Sequence, residues 1–124
     1  MKPITVILCV ISLSLLSAPL CFAAGSVTKG QVLFNDPSLG TNGSTCGACH
    51  PGGSGLEQAG ATGKVQWRTP AGTTTSLEEA INVCITAALK GKALDKKSEK
   101  MQDLVAYIKS LGKGATTKKS HGGY

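Results

Sequence analysis

Cys46, Gly47, Ala48, Cys49 and His50 put two thiols and an imidazole into five residues, within the glycine-rich stretch GTNGSTCGACHPGGSG. Thiols at this spacing can form a redox disulfide, supply half of a zinc site, or serve as the two attachment points of a haem. A structural zinc site takes four ligands. The chain holds one Cys-x-x-Cys pair, and His50 stands too close to it to act as a normal partner. A thioredoxin-type pair needs a strand-to-helix turn in a βαβ unit, and no strand pattern is evident. A structural disulfide would leave His50 without a role. Cys-x-x-Cys-His fits c-type haem attachment: two thioethers fix the porphyrin edge, and the adjacent histidine becomes an axial iron ligand. The expected cofactor is therefore one covalent haem c on Cys46 and Cys49, with His50 as the proximal ligand.

The compartment bears on that choice. Lys2 is followed by the apolar run ITVILCVISLSLLS and the exit APLCFAAGS. This is the pattern of a secretory signal peptide, apolar but too short to span a membrane as a stable helix. Residues 1–23 are the expected leader, with cleavage after Ala23 or Ala24, so the protein is expected to be periplasmic or otherwise exported. A lipid anchor on Cys21 competes with this reading, against which Leu20 is bulky where small residues normally precede a lipidated cysteine. Of five cysteines, Cys9 and Cys21 leave with the leader and Cys46, Cys49 and Cys84 remain. An odd number of thiols in an oxidising compartment means that at least one escapes simple intramolecular pairing.

The elements that must position these side chains are helical. Taking 23 residues from 124 leaves 101, near the small end for an independent core, where a bound cofactor often supplies what aromatic side chains do not. The stretch SVTKGQVLFND reads as a first helix, capped by Ser26 or Thr28 and ended at Asn35-Asp36-Pro37. Gly30 within it costs helix propensity and implies close approach of another element. Residues 37–75 are rich in Gly, Ser, Thr and Pro with almost no apolar periodicity, as expected of a loop wrapped around a large ligand. Ser76 and Glu79 form a capping box for TSLEEAINVCITAALKGK, which Gly91 should close. Leu77, Ala80, Ile81, Cys84, Ala87 and Ala88 recur there at helical spacing, so Cys84 should face the core. A last helix from Ser98 carries Met101, Leu104, Val105, Ile108 and Leu111 on one stripe and stops at Gly112. Residues 113–124 read as a disordered basic tail.

From Ser26 to Gly112 the chain resembles a small monohaem class I cytochrome c, on the strength of GQVLF, CGACH and MQDLVAYIKSL. That resemblance implies an all-α cytochrome c domain over residues 26–112, with three or so helices around one covalent haem. It also implies a crossing of the first and last helices at which Gly30 and Phe34 meet Tyr107. Members of that family carry a sixth ligand, a methionine, in a loop before the last helix, and here no methionine lies between His50 and Lys100. The segment LEEAINVCITAALKGKALDKKSEKMQDLVAYIKSL is more similar to cytochrome domains of sulfur-compound oxidation systems. There a cysteine in an IN-x-C setting stands across the haem from the histidine, and Cys84 holds the matching position. Met101 is the alternative distal ligand, though it shares a stripe with Leu104 and Val105, and His121 is a third candidate. Free cysteine is also among the most buried residue types, so a plain core position is the competing role for Cys84.

The resulting expectation is an electron-transfer protein; the alternative is a thiosulfate-type sulfur-compound oxidoreductase or its cytochrome subunit. A sensor with a labile sixth position is a third reading. Trp67 is expected to cover the haem edge with its indole N–H free for a propionate, and Arg68 to pair with the same group. Loss of Lys2 takes the formal charge from +6 to +5, carried largely by lysines from residue 90 onward. This suits redox partner proteins with an acidic docking surface. Nothing argues for nucleic acid, or for a membrane span once the leader is removed.

Overall fold

The computed structural model describes residues 24–115. The expected leader, Cys21, His121 and residues 116–124 lie outside the described residues. In chain order the elements are α1 (Val27–Phe34), a single helical turn α2 (Cys46–Cys49), β1 (Trp67–Thr69), β2 (Gly72–Thr74), α3 (Leu77–Val83) and α4 (Glu99–Ala115). Two 3₁₀ turns flank α2, at Pro37–Leu39 and Pro51–Gly53, and a π-helical turn, Cys84–Ala88, continues α3.

Side-chain caps start the helices where the sequence places them. The Ser26 hydroxyl accepts the Lys29 N–H at 3.3 Å, and the Ser76 hydroxyl accepts the Glu79 N–H at 3.1 Å. The Ser98 hydroxyl accepts the Met101 N–H at 3.3 Å. These bonds satisfy donors that a helix start leaves without partners. The core forms where α1 lies on α4. Gly30 is buried there, and a methyl carbon on it would strike the Asp103 carbonyl and approach Tyr107 Cβ at 2.8 Å. Phe34 packs against Tyr107 with ring centroids 5.1 Å apart and planes at 60°, a tilted geometry favourable to aromatic pairs. The expected meeting of Gly30, Phe34 and Tyr107 is present. Met101, Leu104, Val105 and Ile108 extend the core along α4, and Leu77, Ile81, Ile85 and Leu89 close it from the other side.

Four expectations change. The fold is mostly helical, so the all-α expectation fits roughly, but β1 and β2 add an antiparallel hairpin that pairs Trp67 with Thr74 and Thr69 with Gly72. Strands of three residues joined through Pro70 and Ala71 show neither alternation nor an Asn-Gly turn, so the sequence conceals them. Gly91 does not close α3. Lys90 takes the left-handed backbone there, at φ 57°, while Gly91 is small because a side chain would strike the Leu39 carbonyl. Gly112 does not stop α4, which continues to Ala115, into the start of the expected tail. It lies instead against loop 57–61, where a Cβ would sit 2.9 Å from the Glu57 carbonyl. Finally, Ala87 and Ala88 are exposed, and the buried stripe runs through Ile81, Ile85 and Leu89.

Candidate haem-binding cavity

Cys46 and Cys49 lie at the two ends of α2, a turn capped by Thr45, whose hydroxyl accepts the Ala48 N–H at 3.0 Å. Spacing of three along a helical turn puts both thiols on one side. Gly47 between them is pressed against α1, where a Cβ would collide with the Asn35 side chain and reach Phe34. The motif is thereby seated on the end of the first helix. His50 follows, its N–H donating to the Cys46 carbonyl at 3.0 Å.

The His50 ring is oriented by the backbone ahead of it. Nδ1 lies 3.0 Å from the Ser54 carbonyl oxygen. A carbonyl can only accept, so Nδ1 is the donor, and in the neutral ring this leaves the lone pair on Nε2. Histidines that ligate metals are held in this way, with the far nitrogen donating to a carbonyl or carboxylate. The Pro51–Gly53 turn makes the approach possible, with Gly52 and Gly53 at φ 59° and 85°, in the left-handed region that glycine adopts without strain.

Cys46, Cys49 and His50 all line one cavity of about 520 Å³. A second wall comes from α3 and the π-helical turn, which contribute Leu77, Ala80, Ile81 and Cys84. Leu56, Ala59 and Trp67 line a third side, and Phe34, Leu104 and Ile108 line the side toward the core. The volume falls within the roughly 300–1,000 Å³ typical of cofactor sites, and the lining is predominantly apolar with a few donor atoms. Among the described residues, no three Cys, His, Asp or Glu side chains converge as a bare metal site. A flat apolar cofactor with its own metal matches this arrangement, with sulfur and imidazole donors set around an apolar space.

All three thiols of the described residues are free. Burial pushes the Cys46 thiol up to about 11, with a further contribution from nearby Cys84. Burial also raises the Cys84 thiol, with a smaller contribution from Cys49. Both therefore resist ionisation unless a cation or a covalent bond takes the proton's place.

Cys84 is half-buried and lines the cavity, whereas Met101 is fully buried in the α1–α4 core and does not line it. Trp67 lines the cavity as expected, but its indole N–H is not free: it donates to the Ala59 carbonyl at 2.7 Å and ties the hairpin to loop 56–61. Arg68 is exposed at the cavity rim. Two residues have structural roles that the sequence does not announce. Asp103 is a buried carboxylate accepting the Ser26 N–H at 2.6 Å, at the N-terminus of α1. Asn82 exchanges two bonds with the Leu94 backbone, at 2.8 and 2.9 Å, and holds the segment beyond α3 in place. An acidic residue inside an apolar stripe and an asparagine inside a helix are the available signals.

Comparison with protein families matches residues 29–117 to the SoxA/TsdA cytochrome c domain. No curated protein and no solved structure matches the chain. The match covers well over half of the sequence: the chain belongs to the SoxA/TsdA cytochrome c domain family, a c-type cytochrome domain of sulfur-oxidation systems.

Proposed function

We propose that this SoxA/TsdA-type cytochrome is an exported electron-transfer protein. One haem c would be held by thioether bonds from Cys46 and Cys49, with His50 and Cys84 as the side chains that would ligate its iron. The observation that carries the reading is the convergence of these four side chains on a single apolar cavity. When bound, the haem supplies a one-electron ferric/ferrous couple. The remaining work belongs to the chain. The Ser54 carbonyl holds the Nδ1 proton of His50, which fixes the ring and leaves Nε2 available. Leu56, Leu77, Ala80, Ile81 and Trp67 limit water at the site, which makes the couple sensitive to its ligands. Coordination by Cys84 as a thiolate would favour the ferric state and give a lower potential than a methionine ligand.

The leader-like pattern of residues 1–23 supports a periplasmic or otherwise exported location. Among the described residues, no helix is long and apolar enough to cross a membrane. The lysines from residue 90 onward suit an acidic surface on a redox partner. The experiment that tests attachment is denaturing electrophoresis of protein matured in a host with haem-attachment machinery. Haem-dependent peroxidase staining should stay with the chain, and colour lost to acid–acetone extraction would contradict the thioethers.

A second reading, a thiosulfate-type sulfur-compound oxidoreductase or its cytochrome subunit, is favoured by the free, half-buried thiol of Cys84 in the cavity wall. Turnover of thiosulfate, measured with and without a separate electron acceptor, distinguishes it from pure electron transfer.

A further inference from the structure

The end of the π-helical turn is held by the loop that precedes α2. Helices leave their last carbonyls without intrahelical partners. Here three successive carbonyls find them in two adjacent residues. The Asn42 Nδ2–H donates to the Ala88 carbonyl at 2.9 Å, and the Thr41 N–H donates to the Leu89 carbonyl at 3.0 Å. The Thr41 hydroxyl donates to the Lys90 carbonyl at 2.8 Å. The approach is close enough that a side chain on Gly40 would strike the Leu89 carbonyl, and one on Gly91 would strike the Leu39 carbonyl.

These bonds act on the turn that begins with Cys84. The Cys84 carbonyl accepts from the Leu89 N–H at 3.2 Å, five residues on, and the Ile85 carbonyl accepts from the Gly91 N–H at 2.9 Å. Such wide turns are rare outside functional sites and depend on their surroundings to persist. Lys90, at φ 57°, is uncommon for a residue with a side chain. Its carbonyl is one of the three that the loop holds. Loosening the loop would let this helical segment fray from its end, from Lys90 back toward Cys84.

We infer that Thr41 and Asn42 are positioning residues for Cys84: they hold the end of the π-helical turn so that the thiol stays in the cavity. The same loop leads into Thr45, which caps the turn carrying Cys46 and Cys49. The attachment motif and the distal thiol are thus set relative to each other through residues 41–45 as well as through the core. This inference rests on the assignment of Cys84 as iron ligand made above.

Two substitutions remove single bonds with little other change. Asn42→Asp keeps the oxygen that accepts the Ser44 N–H at 3.1 Å but loses the donor to Ala88. Thr41→Val keeps the shape and the backbone bond and loses the hydroxyl, while Thr41→Ser retains it. The test uses the haem-loaded protein, in which Cys84 is the one cysteine of the mature chain outside the thioethers. Reaction of Cys84 with a maleimide, the ferric absorption spectrum and the thermal midpoint are measured for each variant. The spectrum and midpoint are also measured for Cys84→Ala.

Asn42→Asp and Thr41→Val should label roughly tenfold faster than wild type, the factor expected for loss of about one hydrogen bond from a local opening equilibrium. Their ferric spectra should gain a component like that of Cys84→Ala, and Thr41→Ser should behave as wild type. Labelling and spectra unchanged in both variants, with Cys84→Ala altered, would overturn the inference and leave the ligand assignment standing. A wild-type ferric spectrum in Cys84→Ala would overturn the assignment instead. The labelling rates would still decide the positioning role, because they read thiol exposure directly. Should Asn42→Asp not fold, the Thr41→Val and Thr41→Ser pair carries the same comparison.

Discussion

Gly30→Ala sets two effects against each other whose signs differ. Within a helix, alanine is favoured over glycine by about 1 kcal/mol, so propensity alone makes the substitution stabilising. The packing opposes it. The added carbon would strike the Asp103 carbonyl, a backbone group in α4 that cannot rotate aside, and would approach Tyr107 Cβ at 2.8 Å. The helices must separate, which loosens the Phe34–Tyr107 pair now at 5.1 Å. Overpacking costs about 1–3 kcal/mol against a propensity gain of about 1, leaving a net loss of up to about 2 kcal/mol. At about 4–8 °C per kcal/mol for a domain of this size, the thermal midpoint should fall by up to about 15 °C. Far-ultraviolet circular dichroism of the haem-loaded protein measures this, with Gln31→Ala, at an exposed position of the same helix, as the control. A midpoint that rises in Gly30→Ala, as propensity alone would dictate, would refute the close approach of α1 and α4.

Asp103→Ala should cost about 1–3 kcal/mol, because the Ser26 N–H loses its acceptor and the start of α1 loses a negative charge; chemical denaturation measures the loss. Met101→Ala should cost about 2–5 kcal/mol as a core cavity while leaving the ferric absorption spectrum unchanged, since Met101 does not line the cofactor cavity. Intact mass of the exported protein should correspond to a chain starting at or next to Ala24 plus one haem, and a lipid mass on Cys21 would place it on a membrane instead.

The elements that chemistry and capping specify locally are legible in the sequence. Ser26, Ser76 and Ser98 mark their helix starts because a hydroxyl needs only the next three residues to cap. The Cys46, Cys49 and His50 cluster is legible because its spacing is itself the geometry. What the sequence conceals depends on distant backbone. Gly91 and Gly112 look like helix stops, yet they are small to admit the carbonyls of Leu39 and Glu57, partners that no local pattern reveals. The β1–β2 hairpin is too short for periodicity to register. The π-helical turn after Val83 departs from the helical spacing that would place Ala87 and Ala88 in the core. Trp67 reaches the cavity as its sequence setting suggests, but its N–H partner, the Ala59 carbonyl, comes from a loop without a sequence signature.

The most direct test of the account is the ferric absorption spectrum and reduction potential of haem-loaded Cys84→Ala beside the wild type. Cys84 lines the cavity with Cys46, Cys49 and His50, and its thiol is held protonated by burial unless a cation takes the proton's place. If Cys84 ligates the iron, the variant loses the low-spin ferric spectrum in favour of a high-spin or water-ligated one, with a raised potential, while the covalent haem remains. A low-spin ferric spectrum and a potential both unchanged from wild type would contradict it.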